Sequence, residues 1–468
     1  MRERVLRGIL RWLPIAAVVA LLVLLAPEGR AEKATPRAAA ATEHPLATRA
    51  ALDLIGKGGN AVDAVAAAAL VAGVVNPVSS GIGGGGFALV YRPGDAQPFV
   101  LDFRESAPLS LDPAAFEKAT GPEARGQLVG VPGEVAGLYE LARRFGKLPW
   151  ADIVAPAERF ARLGFATGAH LARALGEPSA AQLGRDPSLK SLYFPRGKPL
   201  LQGHWVRNER LARTLRRISA EGPSAFYDGA IAAELAATAR SAGGTLSVED
   251  LRNYTVKERA PLRGEWAGHT IFTMPPPSAG GLLLLQTAGM LSAEELRQLG
   301  WNSGAYQHLI AEAFRASLAD RLRHAGDPHH VRVDVARLLD AKRLAERRRA
   351  LALDRTHTTG LFVTREAGTH HLSVTDGSGM TVALTTTVNR SFGAKLVAPD
   401  SGVVLNDQLA DFTLPSDTAG FGIAASPNAP RPGARPVSSM TPTLAVRDGR
   451  AVLAIGGSGG PTIPTNVT

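Results

Sequence analysis

The segment Gly368-Thr369-His370-His371-Leu372-Ser373-Val374 places a threonine between a glycine and an apolar strand. A threonine hydroxyl is a weak nucleophile near neutral pH and needs an adjacent base. If the chain breaks before Thr369, the freed α-amine is such a base, because these amines have pKa values of about 7.7–8.0. Gly368 suits the preceding position, since a residue without a Cβ tolerates the strained backbone that self-cleavage requires. Taken alone, however, Thr369 is better explained as the first residue of a strand.

Polar residues downstream strengthen the nucleophile hypothesis. Thr387 and Asn389 end the second strand of a hairpin whose turn is Asp376-Gly377-Ser378-Gly379, so they return to the neighbourhood of Thr369. Three more polar sets follow along the chain: Gln408 with Asp411, then Ser438 with Ser439, then Gly459 with Gly460. The glycine doublet can offer backbone N–H groups to an oxyanion. Each set is also compatible with a strand residue, a solvated turn, a cap or a flexible loop.

The N-terminus has the pattern of a secretory signal. Four arginines within residues 2–11 precede an apolar run at 13–26, and the small residues Gly29 and Ala31 follow at the spacing of a signal-peptidase site. The apolar run is shorter than the roughly 20 residues that span a bilayer, which favours cleavage over an uncleaved anchor. We therefore expect residues 1–31 to be a signal peptide, the protein to be periplasmic or secreted, and membrane contact to occur only through this segment.

Composition and motifs exclude several functions. The chain has no cysteine, which rules out disulfides, thiolate metal sites and a cysteine nucleophile. The net charge is +10, but the arginines are scattered, so no nucleic-acid partner is predicted.

The GxGxxG pattern at 81–86 lies between a helix and a strand, the wrong order for dinucleotide binding, and instead indicates close backbone approach. No HExxH motif occurs, and adjacent histidines on a strand point to opposite faces. No cofactor or metal is predicted.

The secondary-structure pattern predicts an α/β (α+β) layered body with its helices outside. We expect a helix over 61–75 capped by Asn60, strands over 87–91 and 99–103, and mostly helices over 134–250. An exposed, arginine-rich connector at 340–360 precedes Thr369. After it the pattern changes to hairpins, one over 372–387 and one around Asp448-Gly449.

Many ordered stretches resemble the γ-glutamyltranspeptidase (γ-glutamyltransferase) family from about His44 to the end. The matching stretches are GGNAVDAVAA (58–67), GIGGGGF (81–87), DFRESAP (102–108), GVPGEVAG (130–137), MPPPSAGG (274–281), AEAFRASLADR (311–321), THHLSV (369–374), SFG (391–393), NDQLADF (406–412), RPVSSMTPT (435–443) and GGSGG (456–460). The resemblance implies the four-layer αββα fold of N-terminal-nucleophile hydrolases. It also implies autoproteolysis into a large subunit (32–368) and a small subunit (369–468) that pair in one body.

The resemblance further implies γ-glutamyl transfer from glutathione and similar donors to water or to amino acid or peptide acceptors. Thr369 would be the nucleophile, and Thr387 would orient its amine. Arg104, Ser438 and Ser439 would hold the α-carboxylate of the donor, a task suited to a guanidinium fork. The implied ligands of the α-ammonium group are Asn389, Gln408 and Asp411, and those of the oxyanion are Gly459 and Gly460.

Three departures from the family pattern leave alternatives open. His370 replaces a second threonine, Gly457-Ser458 replaces Ser-Pro, and the sequence given stops at Thr468, where the family continues. We therefore expect an incomplete small subunit, and an inactive, non-enzymatic truncated member is one alternative. A glutaryl- or cephalosporin-type acylase is another. The implied set of Arg104, Gln408 and Asp411, which would bind a charged amino-acid head, argues against it. The Gly- and Pro-rich segment 415–435 matches the position of a lid loop, with an ordinary surface loop as its alternative.

Overall fold

The structure, a computed structural model of the uncleaved chain, describes residues 38–119, 121–356, 368–423 and 425–468. The predicted signal segment and the residues just before Gly368 lie outside these ranges, so the prediction for residues 1–31 stays a prediction. Among the helices in the described ranges, none is long and apolar enough to cross a membrane.

Twelve strands form two large antiparallel sheets and one short two-stranded pair within the described residues. They are β1 (Ala39–Thr42), β2 (Gly85–Tyr91), β3 (Phe99–Phe103), β4 (Phe165–Ala166), β5 (Trp205–Val206), β6 (Lys257–Arg259), β7 (Leu262–Trp266), β8 (His269–Thr273), β9 (His370–Thr375), β10 (Thr381–Thr387), β11 (Thr443–Arg447) and β12 (Arg450–Ile455). The first sheet has the order β1-β9-β10-β2-β3-β6, and the second has the order β12-β11-β8-β7.

The α-helices mostly fall between β3 and β9. They are α1 (Pro45–Gly56), α2 (Ala61–Val75), α3 (Pro113–Lys118), α4 (Glu134–Phe145), α5 (Trp150–Leu163), α6 (Ala169–Gly176), α7 (Pro187–Tyr193), α8 (Glu209–Glu221), α9 (Ser224–Tyr227), α10 (Gly229–Ser241), α11 (Val248–Arg252), α12 (Gly280–Met290), α13 (Ala293–Leu299), α14 (Gly304–His324), α15 (Val335–Leu338), α16 (Ala341–Ala350), α17 (Pro415–Thr418) and α18 (Ile463–Val467). Short 3₁₀ helices cover Pro122–Leu128, Pro178–Arg185, Pro195–Gly197, Gln408–Asp411 and Gly460–Thr462.

Helix α2 is the centre of the outer helical layer and forms as predicted. Asn60 accepts hydrogen bonds from the N–H groups of Val62 and Asp63, and the Asp63 carboxylate accepts one from the Asn60 N–H. This reciprocal capping box starts the helix where the sequence indicated. Every residue of α2 is buried, which the many alanines allow because their short side chains let neighbouring elements approach closely.

The alternation of side chains along the strands divides the core into layers. Ala88 and Val90 of β2 pack with α2 and other helices, whereas Phe87 and Leu89 face the second sheet. Facing them are Phe272, Met274 and Leu444. Burying one such large side chain contributes about 1.5–3 kcal/mol, so this intersheet core holds the sheets together.

The outer face of the second sheet is covered in turn by helix α12. Leu282, Leu284 and Leu285 of that helix pack with Leu262 and Ile271 of β7 and β8. The sequence of layers is therefore helix, sheet, sheet, helix, which confirms the predicted αββα architecture.

The glycine loop at 81–86 confirms the expectation of close backbone approach. A Cβ added to Gly83 would lie 2.0 Å from the Val404 carbonyl oxygen, and one added to Gly84 would lie 2.0 Å from that of Thr387. The Gly84 carbonyl also accepts hydrogen bonds from the N–H groups of Gly133 and Glu134 at the start of α4. The loop thus packs the N-terminal region tightly against the end of β10, beside the predicted nucleophile.

Candidate active site

Thr369 lies directly before β9, the second of six strands in the first sheet, and is only 5% exposed. Gly368 before it adopts φ +124°, a backbone conformation that side chains with a Cβ rarely take. A Cβ at this position would lie 2.7 Å from the Asn389 carbonyl oxygen. The predicted cleavage bond is therefore held in a conformation that the glycine makes accessible.

The carbonyl of Gly368 has a hydroxyl donor directed at it. Thr387 Oγ1 donates to the Gly368 oxygen at 2.5 Å and accepts the Asn389 N–H at 2.8 Å. Because the Asn389 N–H occupies an acceptor position of the hydroxyl, the Thr387 proton points toward the carbonyl. Side chains along β10 point alternately to the two faces of the first sheet, and Thr387 is on the face toward the second sheet. The role of orienting a free amine stays a prediction, since in the uncleaved chain the Thr369 nitrogen is still a peptide nitrogen.

Arg104 lies directly after β3 and is 1% exposed. Its Nη2 donates to Asp411 Oδ2 at 2.5 Å, and its Nε donates to the Pro436 carbonyl at 3.2 Å. A buried guanidinium needs such partners, and the Asp411 carboxylate balances its charge. Arg104 and Asp411 therefore form one unit, which the sequence hypothesis had divided between two different groups of the donor.

Gln408 and Asp411 lie on a 3₁₀ turn, where Gln408 is buried and the Asp411 side chain is only 4% exposed, so the alternative of a solvated turn is wrong. Gln408 Nε2 donates to Asp411 Oδ2 at 2.7 Å. Gln408 Oε1 is buried and has no hydrogen-bond partner among the described residues. Since a buried acceptor without a donor is costly, a ligand ammonium group would satisfy it.

Ser438 and Ser439 lie on the segment that also supplies the Pro436 carbonyl. Ser439 Oγ accepts a hydrogen bond from Arg321 Nη1 at 2.6 Å, and Ser438 Oγ accepts the Met440 N–H at 3.0 Å. Both hydroxyls retain their own proton for an acceptor such as a carboxylate. Arg321 was not singled out as a site residue, although it ends a stretch that matched the family pattern.

Both residues of the glycine doublet have a positive φ, a backbone conformation that glycine adopts more readily than other residues. Gly459 has φ +119° and Gly460 has φ +59°. The loop before them abuts strand β9, because a Cβ on Gly456 would lie 2.2 Å from His371 Nδ1. The loop therefore reaches the beginning of β9, as an oxyanion role requires, while that role itself stays a prediction.

A chain of contacts joins these residues. Asn389, whose N–H binds Thr387, donates through Nδ2 to the Asp407 carbonyl at 3.1 Å. Asp407 is followed by Gln408, which binds Asp411, which binds Arg104. The structure thus connects the cleavage bond to the guanidinium through residues that are far apart in the sequence.

Buried acids next to these residues escaped the sequence reasoning. Burial raises the pKa of Glu105 to about 8, and burial likewise raises the pKa of Glu134, which accepts a hydrogen bond from Thr386. Both Glu105 oxygens lack a partner among the described residues. Burial also raises the pKa of Asp407 to about 6. A carboxylate has no sequence pattern that reveals burial, so only the motif DFRESAP could have drawn attention to Glu105.

The histidine pair after Thr369 is internal. His371 Nδ1 lies 2.8 Å from Thr385 Oγ1 and its Nε2 lies 2.9 Å from Ser373 Oγ. Burial lowers the pKa values of His370 and His371 to about 3, so both rings are neutral. In the part of the chain that the structure describes, no group of three or more histidine, aspartate or glutamate side chains is arranged to hold a metal ion.

The αββα body, with a threonine directly before an interior strand and a glycine at positive φ ahead of it, places the chain in the class of N-terminal-nucleophile hydrolases. The chain belongs to the γ-glutamyltranspeptidase family, whose family model matches residues 47–468.

Known relatives resemble this chain in sequence and in structure. Glutathione hydrolase 2 of Arabidopsis thaliana is 37% identical over 92% of this chain and 76% of its own. A glutathione hydrolase proenzyme of Bacillus subtilis (strain 168) is 35% identical over 91% of this chain and 76% of its own. The crystal structure of a cephalosporin acylase from Bacillus halodurans superposes with a TM-score of 0.79 at 26% identity, covering 92% of this chain and 78% of that one.

Proposed function

We propose that this protein is a γ-glutamyl hydrolase and transferase that cleaves itself before Thr369 and takes the γ-glutamyl group from glutathione or similar donors. The observation that carries this proposal is the buried unit of Arg104, Asp411 and Gln408. It combines a cation with an unsatisfied acceptor and a carboxylate, the complement of a zwitterionic amino-acid head. The names of the two glutathione hydrolase relatives support the same substrate.

The geometry at Gly368 supports the proposed self-cleavage. The Thr369 hydroxyl attacks the Gly368 carbonyl carbon, and the Thr387 hydroxyl stabilises the negative charge that develops on the carbonyl oxygen. Breaking the C–N bond transfers the acyl group to the threonine oxygen, and the nitrogen takes up a proton. Water then hydrolyses this ester, which leaves a carboxylate on Gly368 and a free amine on Thr369.

The freed Thr369 then acts on the donor. Arg104 and the serine segment bind the α-carboxylate, whereas Gln408 Oε1 and Asp411 bind the α-ammonium group. With its head held there, the donor presents its γ-amide to the Thr369 hydroxyl, and the amine of Thr369 takes the hydroxyl proton. The resulting γ-glutamyl ester is released by water or by the amine of an amino acid or peptide acceptor.

A glutaryl acylase is the second candidate, because the Bacillus halodurans structure resembles this one over most of the chain. A glutaryl group carries the carboxylate but lacks the ammonium group. It would leave Gln408 Oε1 buried without a donor, at a cost of about 1–3 kcal/mol. We therefore expect the γ-glutamyl compound to be preferred by roughly ten- to a hundredfold in kcat/KM.

The test compares wild-type, Thr369→Ala and Thr369→Ser chains by denaturing gel and mass spectrometry, followed by assays with γ-glutamyl and glutaryl anilides. Wild type and the serine variant, which keeps a hydroxyl, should split between residues 368 and 369, whereas the alanine variant should stay intact. Cleavage of the alanine variant at the same bond would remove Thr369 from its role. Faster turnover of the glutaryl anilide would replace the γ-glutamyl proposal with the acylase.

We also propose that residues 1–31 direct export to the periplasm or medium, on the basis of the cationic and apolar pattern alone. N-terminal sequencing of the exported protein should then begin at Glu32. Recovery of the full-length N-terminus in the membrane fraction would contradict signal cleavage.

A further inference from the structure

We propose that Asn428 is a positioning residue that holds together the two segments that bind the donor's ammonium and carboxylate groups. This inference rests on the proposed function. Asn428 lies on the segment that follows Asp411 and returns to Val437, and it is 7% exposed.

The side-chain amide of Asn428 bridges two backbones. Its Nδ2 donates to the Asp411 carbonyl at 2.7 Å, and its Oδ1 accepts the Val437 N–H at 2.8 Å. The same Nδ2 also donates to Thr413 Oγ1 at 3.0 Å. The side chain thus uses both of its donors and its acceptor, and no shorter side chain can span the two segments in this way.

The backbone of Asn428 is held as well. Its N–H donates to Ser426 Oγ at 3.1 Å, and its carbonyl accepts the Thr413 N–H at 2.9 Å. Because the main chain is anchored on both sides, the amide is presented to Asp411 and Val437 in one orientation.

These bonds close a circuit around the donor-binding unit. Arg104 Nη2 donates both to Asp411 Oδ2 at 2.5 Å and to the Val437 carbonyl at 3.4 Å. Asn428 joins the same two residues through other atoms, the Asp411 carbonyl and the Val437 N–H. Arg104 and Asn428 are therefore two independent braces between the Asp411 turn and the segment that carries Ser438 and Ser439.

The circuit predicts a specific kinetic effect. Without Asn428, the Arg104 contact alone keeps the ammonium-binding and carboxylate-binding groups at the spacing of one amino-acid head. The cleavage bond and Thr387 lie outside the circuit, so maturation should proceed normally. Loss of the Asn428 side chain should therefore weaken donor binding rather than slow acyl transfer.

The experiment uses the matured enzyme with γ-glutamyl anilide and compares wild type, Asn428→Ala and Thr413→Val. The alanine variant should raise the KM of the donor about tenfold, consistent with the loss of two buried hydrogen bonds, with kcat within twofold of wild type. Thr413→Val removes only the third partner of Asn428 and should match wild type. If Asn428→Ala does not mature, the nearly isosteric Asn428→Asp gives the same test, because its oxygen faces the Asp411 carbonyl without a proton to donate.

The outcomes separate the two proposals. A wild-type chain that neither cleaves nor hydrolyses the anilide would defeat the proposed function itself. An active wild type with an unchanged KM in the Asn428 variant would overturn only the positioning role. A fall in kcat at constant KM would also overturn it, since that result indicates a general structural role.

Discussion

Replacing Gly368 by alanine tests whether the backbone before Thr369 controls maturation. In the uncleaved chain Gly368 has φ +124°, and an alanine Cβ would lie 2.7 Å from the Asn389 carbonyl oxygen and 3.1 Å from that of Val78. Both neighbours are backbone atoms that belong to the packed end of β10 and to the loop after α2, so they cannot rotate away as a side-chain tip would.

The magnitude follows from two costs. A non-glycine residue held in this region of φ costs about 1–3 kcal/mol, and the overlap with the Asn389 oxygen adds to that cost. In the Gly368→Ala variant the backbone of residue 368 would move to a more favourable conformation to avoid these costs. That movement would separate the carbonyl of residue 368 from the Thr387 hydroxyl. If the competent conformation becomes about 2 kcal/mol less favourable, the rate of self-cleavage falls by roughly thirtyfold.

The assay follows cleavage of freshly refolded precursor by denaturing gel over time. Gly449→Ala is the matched control, because Gly449 also has a positive φ, of +70°, but a Cβ there would meet nothing within 4 Å. Gly449 lies in the turn between β11 and β12, away from Thr369. Once cleaved, the Gly368→Ala enzyme should hydrolyse γ-glutamyl anilide at the wild-type rate per cleaved chain, since residue 368 is then a free C-terminus.

Equal cleavage rates for wild type and Gly368→Ala would refute the reasoning, because they would show that the cleavage bond is not held in a conformation that only glycine favours. Slow cleavage in both glycine variants would also refute it, since the effect would then come from general destabilisation.

Two further predictions concern Thr387 and Glu105. Thr387→Val should slow cleavage at least tenfold because it removes the donor to the Gly368 carbonyl, whereas Thr387→Ser should cleave like wild type; a fast valine variant in the gel time course would contradict this. Burial raises the pKa of Glu105 from 4.5 to about 8. Between these two pH values the folded state keeps a proton that the unfolded state releases. The free energy of unfolding should therefore fall as pH rises from 4.5 to 8, by up to about 5 kcal/mol. Denaturation curves at pH 5 and pH 8 should show a smaller loss for Glu105→Gln than for wild type or the exposed control Glu117→Gln; equal losses in all three would count against a buried neutral Glu105.

Local patterns predicted much of the fold because they report local physics. The helix over 61–75 begins at the Asn60 cap and ends at Val75 as expected. The two hairpins have their turns at 376–380 and at Asp448-Gly449, as turn chemistry indicated. Antiparallel pairing of β9 with β10 then brings Thr387 back beside the Gly368–Thr369 bond. These relations involve residues that are close in sequence, so the sequence was sufficient.

The donor-binding unit was predicted only in its membership. The family resemblance supplied Arg104, Gln408 and Asp411, but it assigned Arg104 and Asp411 to two different groups of the donor's amino-acid head. Their direct ion pair is a long-range contact between the end of β3 and a 3₁₀ turn. No local pattern reports whether two charged side chains separated in this way meet each other or a ligand.

The candidate nucleophile, the glycine that precedes it, the order of the elements and the family could all be predicted from the amino-acid sequence alone. Those features depend on residue type, spacing and backbone preference, which are properties of neighbouring positions along the chain. Three other features emerged only once the chain was folded: the Thr387 proton points to the cleavage carbonyl, Glu105 is buried, and Asn428 braces the Asp411 turn against the Val437 segment. Each of these depends on burial and on the distance between elements that the chain brings together from separate places, and neither quantity is encoded at a single position.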